Sequence, residues 1–94
     1  MPIDPGGNVI ISTHARTQMK RRGITRAVVR RIVIAPEQRM PVREGRVVLH
    51  SRIDMGRPSK RYLVRVVVDI DREPPRVVTV YRTTKLEKYW RGEA

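Results

Sequence analysis

The stretch Arg61-Tyr62-Leu63-Val64-Arg65-Val66-Val67-Val68-Asp69-Ile70 decides the fold. Its period is two: Tyr62, Val64, Val66, Val68 and Ile70 fall on one side and Leu63, Arg65, Val67 and Asp69 on the other. That pattern predicts a strand over 61–70 whose first set faces the core. Asp71-Arg72-Glu73-Pro74-Pro75 reads as a turn, and Arg76-Val77-Val78-Thr79-Val80-Tyr81-Arg82-Thr83 as an antiparallel partner strand. Upstream, Arg46-Val47-Val48-Leu49-His50-Ser51-Arg52 predicts another strand, which makes a meander of three.

Before a Pro- and Arg-rich loop the period changes. Ser12 or Thr13 can cap a helix over 14–22, with Ala15 and Met19 four apart and Gly23 as its stop. Thr25 can cap a second helix over 26–35, in which Val28, Val29, Ile32 and Val33 share a face and Arg26, Arg30 and Arg31 lie away from it. Pro36 closes that helix. The tail over 85–91 is expected to form one helical turn with Leu86 and Trp90 folded back. Neither layer can bury its apolar side alone. The expected fold is therefore α+β, with two N-terminal helices packed on a small antiparallel sheet of three or four strands. The whole chain, 1–94, reads as one domain: a leader or edge strand over 1–11, the helix pair over 12–36, the meander over 46–84 and the tail over 85–94.

Charge limits the function. The 94 residues carry 21 Lys and Arg against 9 Asp and Glu, a formal net charge of +12, which points to a polyanionic partner. The cations are front-loaded: residues 5–36 hold seven and no carboxylate. Absence of cysteine excludes disulfide scaffolds, zinc fingers and thiol nucleophiles. The longest apolar run, Ile32-Val33-Ile34-Ala35, is far too short to span a bilayer, and the first residues lack a signal-peptide pattern. A cytoplasmic protein with no membrane partner is expected.

Charged helix faces usually mix signs, so a face of cations alone favours phosphate binding over simple solvation. Lys20, Arg21, Arg22, Arg26, Arg30 and, on the sheet, Arg65 are the candidate nucleic-acid-binding residues. With Tyr62, Tyr81, Tyr89 and Trp90 as the only aromatic side chains, an RNA-recognition-motif platform is disfavoured. His14, in the first turn of the first helix, is a candidate for proton transfer, with capping or packing as the plain alternative. His50 reads as structural. Asp69, Asp71 and Glu73 read as strand-end and turn residues, and no metal site is expected. Tyr81-Arg82-Thr83-Thr84-Lys85 is either a polar strand end or a phosphate clamp. Tyr81 and Thr83 share one face and Arg82 and Thr84 the other, so the five cannot all reach one site.

The pattern His14-Ala15-Arg16-Thr17-Gln18-Met19-Lys20-Arg21-Arg22-Gly23-Ile24, followed by a second helix, an Arg/Val strand pair and Val78-Thr79-Val80-Tyr81-Arg82, resembles a family of small uncharacterised bacterial domains. That family is similar to the RelE/ParE toxin superfamily and to BrnT-type toxins. The resemblance covers about 14–88. One departure is Gln18, where many relatives carry arginine. The resemblance implies a RelE-like fold and a toxin of toxin–antitoxin type that cleaves RNA without metal or cofactor, by attack of the 2′-hydroxyl. In that chemistry His14 would serve as base or acid, Arg82 and Lys85 would stabilise the phosphorane, Arg21 and Arg22 would steer the backbone, and Tyr81 would be a second proton donor. The implied partners are RNA, free or ribosome-bound, and an acidic antitoxin protein. The alternatives are a non-catalytic nucleic-acid-binding module and an interaction domain for an acidic partner.

Overall fold

The computed structural model describes residues 8–92, so the first seven residues of the leader or edge strand expected over 1–11 and the last two residues of the tail lie outside the described residues. In chain order the elements are β1 (Ile10–Ile11), α1 (Thr13–Arg22), α2 (Arg26–Ile34), β2 (Gln38–Arg43), β3 (Arg46–Met55), β4 (Lys60–Asp69), β5 (Arg76–Thr83) and α3 (Leu86–Tyr89). One sheet contains all five strands in the order β1-β5-β4-β3-β2. β1 runs parallel to β5, and every other pair is antiparallel.

This corrects the expectation of two helices on a three- or four-stranded antiparallel sheet: among the described residues the sheet is five-stranded and mixed, and the helical turn expected in the tail forms as a third helix, α3. Two local causes account for the difference. β2 runs through the Pro- and Arg-rich segment, where Pro41 masks a strand signal but is tolerated because β2 is an edge strand paired only with β3. β1 has two residues, too few for any periodicity, and is held by Ile10 N–H to the Pro75 carbonyl and Ser12 N–H to the Val77 carbonyl, at 2.9 and 3.0 Å.

The helices form where their caps lie. The Ser12 hydroxyl accepts from the Ala15 N–H at 3.1 Å, and Gly23 takes the left-handed φ of 64° that ends α1. The Thr25 hydroxyl accepts from the Val28 N–H at 3.2 Å to start α2. Both helices cover one face of the sheet. There Ala15, Met19, Ile24, Val29, Ile32 and Val33 pack on Val47, Leu49 and Ile53 of β3, Val64, Val66 and Val68 of β4, and Val77 and Val80 of β5. Burying each such side chain contributes about 1.5–3 kcal/mol, and this layer is the main source of stability. At the β2–β3 turn Gly45 has φ 79°, and a Cβ there would stand 2.6 Å from Asp71 Oδ2, so the position admits only glycine without rearrangement.

α1 lies beside the outer edge of β5, just past the point where β1 stops pairing. The Gln18 side-chain oxygen accepts the Val80 N–H at 2.8 Å and so satisfies an edge donor that β1 is too short to reach. An arginine, which only donates, cannot make this bond.

Candidate nucleic-acid interface

With their apolar sides committed to the core, α1 and α2 turn Arg16, Lys20, Arg21, Arg26, Arg30 and Arg31 outward, all exposed, and Arg22 is half-buried. Neither helix has an acidic residue in its first turn. The ion pairs Arg46–Asp69, Arg52–Glu37 and Arg61–Asp54 belong to the sheet and to the approach to β2. Two helices that carry cations and no carboxylate of their own are suited to a phosphate backbone, which presents regularly spaced charge and requires no pocket.

The opposite face of the sheet is organised differently. Strand register aligns Gln38 of β2 with His50 of β3, His50 with Arg65 of β4, and Arg65 with Tyr81 of β5. Those four residues form one transverse row across four strands. His50 has no exposed surface and Arg65 retains 8%. His50 Nε2 lies 2.7 Å from Gln38 Oε1. That oxygen also accepts the Arg91 N–H, so the imidazole must donate from Nε2 and its Nδ1 carries the lone pair. Burial, and secondarily the Arg65 charge, push the His50 pKa down to about 4, which keeps the ring neutral. Burial likewise raises the Tyr81 hydroxyl above the ordinary phenol value, so it stays protonated at neutral pH.

The row is covered by the C-terminal segment, which crosses the strands one residue at a time. The Arg65 guanidinium lies 4.1 Å from the centroid of the Tyr89 ring. Trp90 stacks on His50 with centroids 5.6 Å apart and planes 14° from parallel, and the Arg52 guanidinium lies 4.2 Å from the same indole. Arg91 exchanges two hydrogen bonds with the Gln38 amide, its N–H donating at 3.1 Å and its carbonyl accepting at 2.6 Å. Arg52 is itself held by Glu37, whose carboxyl its guanidinium pulls down to about 2. α3 buries no residue fully. Each cation–ring contact contributes about 0.5–2 kcal/mol and each hydrogen bond about 1 kcal/mol. A few kcal/mol therefore hold the segment down, well below the stability of the core beneath it.

The residues singled out from the sequence do not gather in one hollow. His14 is exposed on α1. It lies one helical turn, about 5.4 Å, before Gln18, whereas Arg82 lies two strand residues, about 6.8 Å, beyond the Val80 that Gln18 binds. The two thus diverge from a shared point. Tyr81 faces the buried row, while Arg82 is on the helix-bearing face with its guanidinium 4.4 Å from the Tyr62 ring. Lys85 is exposed where the covering segment begins, its N–H bonded to the Thr83 hydroxyl at 3.1 Å. Lys20, Arg21, Arg26 and Arg30 share the helical surface, but Arg65 is buried on the other side of the sheet. Reading the sequence missed Gln38, Arg52, Tyr89 and the placement of His50 beside Arg65. The alternation of strand residues could have paired His50 with Arg65, had the hairpin register been known. Among the described residues, no group of three or more His, Asp or Glu side chains is placed to hold a metal ion.

A small α+β domain with a five-stranded mixed sheet, a one-sided helical layer and a cationic helical surface is the class these features define. The chain belongs to the family described as Domain of unknown function (DUF4258), whose model matches residues 11–82, from the last residue of β1 to the next-to-last of β5. No curated protein and no solved structure matches it. No helix among the described residues is long and apolar enough to cross a membrane.

Proposed function

We propose that the chain binds RNA through the outward surface of α1 and α2. The carboxylate-free run of exposed cations on those helices carries this reading. A surface of that kind draws its affinity from released counterions, so binding weakens steeply with salt. Labelled RNA titrated in 50 and 200 mM KCl should show affinity falling at least tenfold across that range. The variant Lys20→Gln/Arg21→Gln/Arg26→Gln should bind at least tenfold more weakly at 50 mM and show a shallower salt dependence. Equal affinity for RNA at both salt concentrations would contradict the reading, and tight capture of an acidic polypeptide in place of RNA would favour an interaction domain.

A narrower reading, metal-independent RNA cleavage of the RelE/ParE and BrnT toxin type, is favoured by one observation. Tyr81, a phenol kept protonated by burial, sits near the Arg65 guanidinium, 5.6 Å from its ring centroid, and so sets a proton donor beside a phosphate-stabilising cation. The same RNA samples held in EDTA test it: fragments that disappear with Tyr81→Phe support cleavage, and intact RNA leaves a binding protein only.

A further inference from the structure

Among the described residues, three buried side-chain nitrogens have no hydrogen-bond partner: His50 Nδ1, Arg65 Nε and Arg76 Nε. Two of the three stand side by side in the row beneath the C-terminal segment, on directly paired residues. No carboxylate among the described residues pairs with Arg65. A guanidinium taken out of water with neither a counter-charge nor a full set of acceptors is costly unless a ligand supplies what is missing. What is missing has a definite chemistry. Arg65 Nε is an unused donor beside a positive charge, which an anionic oxygen satisfies. His50 Nδ1 is an unused acceptor, because its partner nitrogen donates to Gln38, and it calls for a hydroxyl.

The cover has the shape of an occupant. Tyr89 and Trp90 present aromatic rings to Arg65, His50 and Arg52, the contacts that stacked bases make with guanidinium and imidazole planes. The segment follows β5, past the 11–82 span shared with the family. We propose that the row His50–Arg65–Tyr81 is a second binding site, for one nucleotide step of single-stranded RNA, and that residues 86–92 are a displaceable strap filling it with aromatic rings in place of bases. Arg65 takes a phosphodiester oxygen, His50 Nδ1 accepts the 2′-hydroxyl, and Tyr81 donates to the phosphate. The inference rests on the RNA-binding reading above and adds where single strands dock and why RNA is preferred to DNA.

Trp90 is the chain's single tryptophan, so its fluorescence reports directly on the strap. The full chain is titrated with a labelled single-stranded oligoribonucleotide, its deoxy counterpart and an RNA duplex, reading label anisotropy and Trp90 emission together. Single-stranded RNA should change Trp90 emission as it displaces the strap, with the deoxy strand at least fivefold weaker and the duplex silent at Trp90. Trp90→Ala should raise affinity for the single strand at least fivefold. Arg65→Gln should abolish the Trp90 response while anisotropy still reports salt-sensitive binding at the helices. The triple helix variant should lower affinity yet keep the Trp90 response at saturation. Binding by anisotropy with unchanged Trp90 emission, and with Trp90→Ala equal to the parent, would overturn the strap proposal and leave the helical surface standing. No binding by either the full chain or Trp90→Ala would overturn both.

Discussion

At the scale of single residues, His50 makes the sharpest statement. It is sealed under Trp90 with its proton on Nε2 and its folded pKa near 4, against 6.5 for an ordinary histidine. The unfolded chain therefore takes up a proton below pH 6.5 that the folded chain refuses until about pH 4. Stability is full above pH 6.5 and falls as pH drops through that interval. Glu37 and Asp69 act in the same direction but only lower down, since their folded values lie beneath ordinary carboxylate values near 4.5 and 3.8. The window from pH 6.5 to 4.5 thus belongs to His50, and the loss across it is roughly 2 kcal/mol. Urea midpoints followed by circular dichroism should decline through this window in the parent and stay flat in His50→Asn. An equal decline in both would show that His50 does not carry the proton linkage.

At the scale of elements, the informative contacts are those that close sheet edges. β1 protects only the first residues of β5, and α1 takes over through the bond from Val80 N–H to Gln18. Gln18→Ala leaves that donor without its partner at a half-buried edge and should cost about 1–2 kcal/mol, seen as a drop of several degrees in the thermal midpoint. Gln18→Glu, which keeps an acceptor, should recover most of it; a midpoint unchanged by Gln18→Ala would mean that water serves the Val80 N–H as well. The same elements show what was legible in the sequence. The caps Ser12 and Thr25, the stop at Gly23 and the strand at Arg76–Thr83 could be read because each is a local signal within four residues or a sustained alternation. β2 could not, because Pro41 and two arginines within 38–43 read as loop and only pairing with β3 makes that segment a strand.

At the scale of the molecule, two faces with opposite habits meet at one sheet. The helix-bearing face is apolar inside and cationic outside, and both halves of that description follow from the spacing of Val, Ile and Arg along α1 and α2. The other face was beyond reach of the sequence. In Arg61 to Ile70, Leu63 and Arg65 alternate as solvent-facing residues should, yet both are buried, and over Arg65 lies the ring of Tyr89, more than twenty residues further on. The alignment of Gln38, His50, Arg65 and Tyr81 depends on three hairpin registers at once, none encoded within any one strand. The resemblance implied one site holding His14 and Arg82, but α1 follows β5 from the Ser12–Val77 bond to the Gln18–Val80 bond, with His14 before the second bond and Arg82 beyond it.

The most direct test of this account is a map of where RNA touches the chain. Backbone amide resonances of the 15N-labelled protein, recorded with increasing single-stranded RNA at low salt, should shift along α1 and α2 and at Tyr89, Trp90 and Arg91, with the β2–β3 turn unaffected. Spectra that do not change at a molar excess of RNA, or shifts confined to the β2–β3 turn, would contradict it.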